Sequence, residues 1–273
     1  LQVSRRTGTV TDERQPGQED ELPFVAPCRT VGAGAPFRWL AAGFRDLRAA
    51  PRQSLSWGLI VLGLSWLVSL PPLLLGNKFA LLGLLSGFVF VGPLLAVASY
   101  SISWRLEHER SPTFRRSLAE ARRQLSNCMV FALVLMIIFL VWARAASMVH
   151  VFFPVESEPD WRQIARFLSI GSAVGSIFAA ITFAASAFSL PMIMDRQTDT
   201  ITAVVTSVNA VLRNKAAMVV WLAVIIVSVA VGFATAFVGL VILFPLLGHA
   251  TWHSYREIID ASAWPPQEPM GMP

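Results

Sequence analysis

The sequence predicts an all-α polytopic membrane protein whose six spanning helices form three hairpins. Three observations lead there. Of 273 residues, 55% are apolar and 14% charged, against roughly a quarter charged in a soluble domain. The apolar residues gather into runs of about 20, the length that crosses a bilayer core as a helix. Basic residues, nearly all arginine, crowd into alternate loops. This composition excludes a soluble enzyme, a collagenous or disordered chain and a secreted disulfide scaffold. Cys28 and Cys128 lie in different kinds of segment and suggest neither a disulfide nor a zinc site.

Residues 1–36, with Arg5, Arg6 and the acidic Glu19, Asp20 and Glu21, show no apolar period and read as a disordered tail. No basic region followed by an apolar one precedes Phe37, so a cleaved signal peptide is not expected and the first span directs insertion. Spans are expected near Ser54–Leu75, Phe79–Trp104, Cys128–Phe153, Phe167–Met194, Ala216–Phe233 and Thr235–His249. Pro71, Pro72, Gly76, Asn77 and Lys78 divide the first pair. The last pair must also be divided, because the 32 apolar residues from Ala216 to Leu247 would reach about 48 Å as one helix. A tight re-entrant bend at Gly232–Gly239 does this. Residues 261–273 read as a flexible tail.

The tail to Gln53, the Trp104–Gln124 and Asp195–Lys215 loops and Arg256 carry 18 Arg and Lys, against 3 (Lys78, Arg162, Arg166) on the opposite side. The positive-inside rule then places both termini in the cytoplasm.

The chain also reads as one unit used three times, over 37–104, 114–197 and 200–258. Each opens with a short amphipathic helix on the cytoplasmic side: Phe37, Leu40, Phe44 and Leu47; Phe114, Leu118, Ala121 and Leu125; Ile201, Val204, Val208, Val211 and Leu212. A hairpin follows, with helix breaks expected at Pro93, Pro191 and Pro245 in the second helices. Parallel repeats of this kind also occur in transporter halves. The plainer alternative is chance alternation of interface helix and hairpin.

The stretches Gly87-Phe88-Val89-Phe90-Val91-Gly92-Pro93, Pro191-Met192-Ile193-Met194-Asp195-Arg196 and Phe244–Arg256, the last containing Gly-His-Ala-Thr-Trp-His-Ser-Tyr-Arg, are similar to a family of bacterial integral membrane proteins of unknown function. Its members are often labelled cytochrome c oxidase subunit I. The resemblance spans roughly 37–260 and implies a six-helix inner-membrane protein without an established activity. The label fails on chemistry, since a haem-copper core needs about six histidines on several helices. This chain has 4: His108, His150, His249 and His253.

His249 and His253, four residues apart, can share one helix face and are the sole metal candidates. Two histidines at a helix end are more simply read as partners of the negative helix terminus and of headgroups. No catalytic or cofactor-binding constellation is evident, so neither an enzyme nor a cofactor is expected. Arg144 is the charged residue deepest in a span, about 14 Å from the boundary at Phe153. It either holds an anion inside the bundle or snorkels outward from a helix ending near Val149. Asp195 is expected in a wet interfacial ion pair with Arg196 or Arg213, followed by Asp199 or Thr200 as a helix cap. Tyr255 and Arg256 complete the polar exit of the last helix, while Glu107 and Glu109 read as a solvated face. Gly171 and Gly175 have the small-residue spacing that lets helices approach closely.

These features fit a non-catalytic accessory or structural subunit that packs in the bilayer against a larger complex, such as a respiratory one, or against its own copies. A small-solute transporter or channel and a haem- or metal-binding redox protein are the alternatives. No feature points to nucleic acid.

Overall fold

The computed structural model describes residues 23–76, 78–108, 125–149 and 160–267. They form α1 (Ala35–Ala49), α2 (Pro51–Leu74), α3 (Lys78–Leu95), α4 (Val97–Glu107), α5 (Leu125–Val149), α6 (Trp161–Ser186), α7 (Ser189–Asp195), α8 (Thr200–Arg213), α9 (Lys215–Ala234) and α10 (Leu240–Ile258). Among the described residues, non-helical pairing is confined to two isolated bridges, Cys28 with Ile259 and Arg196 with Pro266.

Among the described residues, four stretches are long and apolar enough to cross a bilayer: Pro51–Leu74, Met129–Met148, Trp161–Asp195 and Lys215–Ala234. The other two expected spans take a different form. Phe79–Trp104 is divided at Ala96 between α3 and α4, and α10 has only nine residues before His249. The exterior is that of a protein solvated by hydrocarbon. Leu74 and Leu75 are 76% and 83% exposed, while Ser54, His249 and Ser254 are fully buried, the reverse of a soluble core.

Helix boundaries follow from local chemistry. Ala50 precedes Pro51, whose ring pushes it out of the helical region to φ −129°, ψ 58°, so α1 ends and α2 begins there. Pro71 and Pro72 lie inside the last turn of α2, which stops just before Gly76 at φ +66°. The α9–α10 bend falls within Gly232–Gly239, with Ala236 and Phe237 at φ 50° and 69°. Left-handed non-glycine residues need support. The Phe237 N–H donates to Gly232 O at 2.7 Å and the Trp66 indole to Ala236 O at 2.8 Å.

The break expected at Pro245 is absent, because α10 runs unbroken from Leu240 to Ile258. Proline cannot donate to the carbonyl four residues back, here Val241. The backbone of Gly58 on α2 abuts that carbonyl, and a Cβ at Gly58 would run into it. Neighbouring backbone thus packs where the helix lost its own donor. Pro93 does precede an interruption, at Ala96. Pro191 lies within α7, after the α6–α7 break at Ala187 and Phe188.

α10 is the centre of the bundle, packed by α1, α2, α4, α7 and α9. Glycine permits the closest approaches: a Cβ at Gly43 would sit 2.7 Å from Ala250 N, and one at Gly248 2.5 Å from Ser99 Cβ. At Gly175 a Cβ would meet nothing within 4 Å, so the close contact expected of the Gly171–Gly175 spacing is not made at Gly175 within this chain.

The apolar residues of α1 divide between two faces. Trp39, Ala42, Gly43 and Leu47 are buried, and Trp39 meets Trp221 of α9 edge to face at 5.7 Å. Phe37 and Phe44 point outward, with Arg48 over the Phe44 ring at 4.3 Å. The second amphipathic stretch, Phe114 to Leu125, lies outside the described side chains. α8 starts on Asp199, whose carboxylate accepts the Thr202 N–H at 2.9 Å. Asp199→Ala should destabilise the protein by about 1 kcal/mol, read as a lower unfolding midpoint in detergent.

The expected tails are shorter than the sequence suggests. Ala26 N–H donates to Thr206 Oγ1 at 3.1 Å and Arg29 N–H to Ile258 O at 2.7 Å. Asn214, at the end of α8, accepts from Val31 N–H at 2.8 Å and donates to Arg29 O at 3.1 Å. Toward the other end, Trp264 is buried, Gln197 N–H donates to Pro265 O and Gln267 N–H to Asp195 O, both at 2.9 Å. These straps rest on backbone hydrogen bonds and one aromatic anchor, features without a periodic signature. Residues 1–22 and 268–273 lie outside the described residues.

Candidate polar site at the end of the bundle

The buried polar side chains converge where α1, α2, α4, α7 and α10 meet. His249, one turn after Pro245 on α10, lies between two serines. Its Nε2 is 2.9 Å from Ser54 Oγ of α2, and its Nδ1 is 2.8 Å from Ser103 Oγ of α4. Ser103 also hydrogen bonds to Asp46 of α1, and the His253 Nε2 lies 2.8 Å from Asp46 Oδ2.

A serine hydroxyl has one proton. Ser103 gives it to the carboxylate, so His249 must donate to Ser103 through Nδ1–H and accept from Ser54 at Nε2. That assignment follows from the network. It leaves Ser54, His249, Ser103, Asp46 and His253 in one hydrogen-bonded string from the centre of the bundle to a half-buried edge.

Burial works to raise the Asp46 pKa, but hydrogen bonds from His253 and Ser103 and nearby imidazole charge outweigh it and hold the carboxyl below its usual range. A depressed carboxylate stabilises the fold fully above its unfolded pKa, and that contribution is lost as pH falls through the folded pKa. Stability should therefore decline on acidification into and below the ordinary carboxylate range. Asp46→Asn should flatten that acid limb in unfolding midpoints taken from pH 7 to pH 3.

A second knot surrounds Asp195, which is 4% exposed and not wet as expected. Its Oδ2 accepts from Tyr255 Oη at 2.8 Å, Arg196 Nε at 3.1 Å and Arg256 Nη1 at 3.3 Å. Burial, the Asp195 charge and this hydrogen bond push the Tyr255 phenol up, outweighing Arg196 and Arg256. Arg256 reaches onward to Glu107 Oε1 at 2.9 Å, and Trp252 Nε1 donates to Glu107 Oε2 at 2.9 Å. Burial works against the guanidinium, but Glu107 and Asp195 outweigh it and raise the Arg256 pKa. Glu107 thus ties α4 to α10 while its side chain stays 36% exposed, in keeping with the solvated face expected. On the far side of α10, Glu257 accepts from Arg38 and, at 2.6 Å, from Trp39 Nε1.

His249 and His253 do not act as a pair. Both ring nitrogens of His249 are engaged by hydroxyls, and His253 turns to Asp46. Among the described residues no three His, Cys, Asp or Glu side chains gather as a metal site. The residues therefore do not fit the haem and copper set that the oxidase label implies. His108 is exposed and stacks on Trp104 at 4.3 Å, while His150 lies outside the described residues. Arg144 is exposed on α5, five residues before Val149, as an outward-snorkelling side chain would be.

Sequence reasoning singled out the α10 residues and Asp195 but missed Asp46, Ser54, Ser103 and Glu257. The one available signal was α1 itself, whose period leaves Asp46 beside Leu47 on the buried side.

Residues 80–195 match the model of a family described as predicted integral membrane protein (DUF2189). The match runs from α3 to the end of α7 and leaves His249 to Arg256 outside. No curated protein and no solved structure matches the chain.

Proposed function

We propose that this integral membrane protein is a non-catalytic accessory or structural subunit of the bacterial inner membrane, with six crossings, both termini cytoplasmic, and packing against a larger membrane complex or its own copies. The observation that carries the reading is the inward closure of its polar chemistry. Asp46, Asp195, Glu107, Glu257, His249 and His253 each spend their hydrogen bonds on another helix of the same chain, while the apolar flanks of α2, α5, α6 and α9 stay exposed.

Two further features support it. The cleft between α2, α3 and α5 is walled by hydrocarbon, which does not suit passage of a polar solute, and His249 has no nitrogen free for a metal. In the three-unit reading, α1, α2 and α3–α4 form one unit and α8, α9 and α10 another, with α5 and α6–α7 as the middle hairpin.

The test is purification in mild detergent from native membranes, followed by native electrophoresis and mass spectrometry. The proposal expects a complex of fixed stoichiometry, heavier than the 29.9 kDa chain. A monomer that conducts a solute in reconstituted vesicles, or one with a Soret band, would overturn it.

A further inference from the structure

We infer that the cavity between α2, α3 and α5 is a lateral binding site for one hydrocarbon tail of a membrane phospholipid. Its volume is about 500 Å³, within the range of small-molecule sites. Leu64 and Val68 of α2, Phe88 and Val91 of α3, and Met136 and Phe139 of α5 form its walls. The two hydroxyls in the lining belong to Ser65 and Ser69, and Ser65 spends its proton on Val61 O at 2.7 Å. Among the described residues no charged side chain lines it.

The occupant follows by elimination. Left uncovered, so large an apolar cleft leaves its walls without packing partners. Water needs two to four polar partners per molecule, and the walls supply too few. An ion or charged headgroup would face hydrocarbon without a counter-charge. A flexible apolar chain matches the lining.

The rim shows where it enters: Leu64, Val68, Val91 and Met136 are 41%, 46%, 48% and 50% exposed, and Leu64, Val68 and Met136 lie on helices apolar enough to cross a bilayer. Ser65 lies about 21 Å along α2 from Pro51, deep enough to sit among lipid tails. Gly87 lines the cavity, and a Cβ there would meet nothing within 4 Å. That position is open space that a larger side chain could fill.

The test is native mass spectrometry of the full chain after detergent exchange, paired with crosslinking by a phosphatidylethanolamine carrying a diazirine near the end of one acyl chain. Wild type should retain one phospholipid and crosslink within α2, α3 and α5. Gly87→Phe and Ala132→Phe, which fill the cavity from opposite walls, should lose both signals. Gly63→Phe, on the exposed side of α2 where a Cβ also meets nothing, should keep both. Using two filling variants guards against one failing to fold, which gel filtration reports. The inference is overturned if wild type retains no phospholipid, if an isoprenoid is retained in its place, or if a folded filling variant holds the lipid as wild type does. All readouts concern the isolated chain, so they are independent of whether a partner complex exists.

Discussion

Replacing Gly58 by valine should cost about 3 kcal/mol or more and leave little folded protein after extraction into detergent. A side chain there meets backbone, the Val241 carbonyl of α10, which cannot swing aside as a rotamer could. Because Pro245 supplies no N–H to that carbonyl, pushing α2 away exposes an acceptor that the helix cannot satisfy itself. Gly63→Val, five residues along on the open side of α2, should change the unfolding midpoint little. Equal losses for the two variants would mean that valine in α2, and not the α2–α10 contact, sets the cost.

His249→Leu should destabilise by about 3 kcal/mol, because it strands the buried Ser54 hydroxyl, takes from Ser103 the N–H it accepts and leaves the imidazole's space imperfectly filled. Ser54 and Ser103 are 0% and 1% exposed, so water cannot replace the lost partner. Removing an orphan together with its partner should recover part of the loss, since replacing both members of a buried pair by apolar groups can be nearly neutral. Ser54→Ala combined with His249→Leu should thus be more stable than His249→Leu alone. Additive losses would show that the string contributes packing volume and not hydrogen bonding.

Features that depend on neighbours in the chain were legible in the sequence. Asp199 caps α8 and the Gly232–Gly239 stretch bends, each because of a property of adjacent residues. What depends on distant partners was not. Asp46 meets His253 across 207 positions and Trp252 meets Glu107 across 145; the period of α1 puts Asp46 on its buried side, but nothing local names the partner.

The division of α1 shows the same limit. Its period fixes the spacing of Phe37, Trp39, Phe44 and Leu47, but only the position of α10 decides that Trp39 and Leu47 go inside. Pro245 read as a break because proline removes a donor. It does, but the neighbouring helix packs against the freed acceptor and α10 continues. The six-crossing expectation rested on apolar length, a weak guide for α10, whose second half carries the polar residues that tie the bundle together.

The account stands on a bilayer-embedded bundle whose polar end, with Asp46, Asp195, His249 and Glu107, faces the cytoplasm. Paired fusions of green fluorescent protein and alkaline phosphatase after Gln267, in a bacterial host, test it most directly. A fluorescent, phosphatase-inactive pair is the predicted result. An active phosphatase with dark fluorescent protein would contradict it.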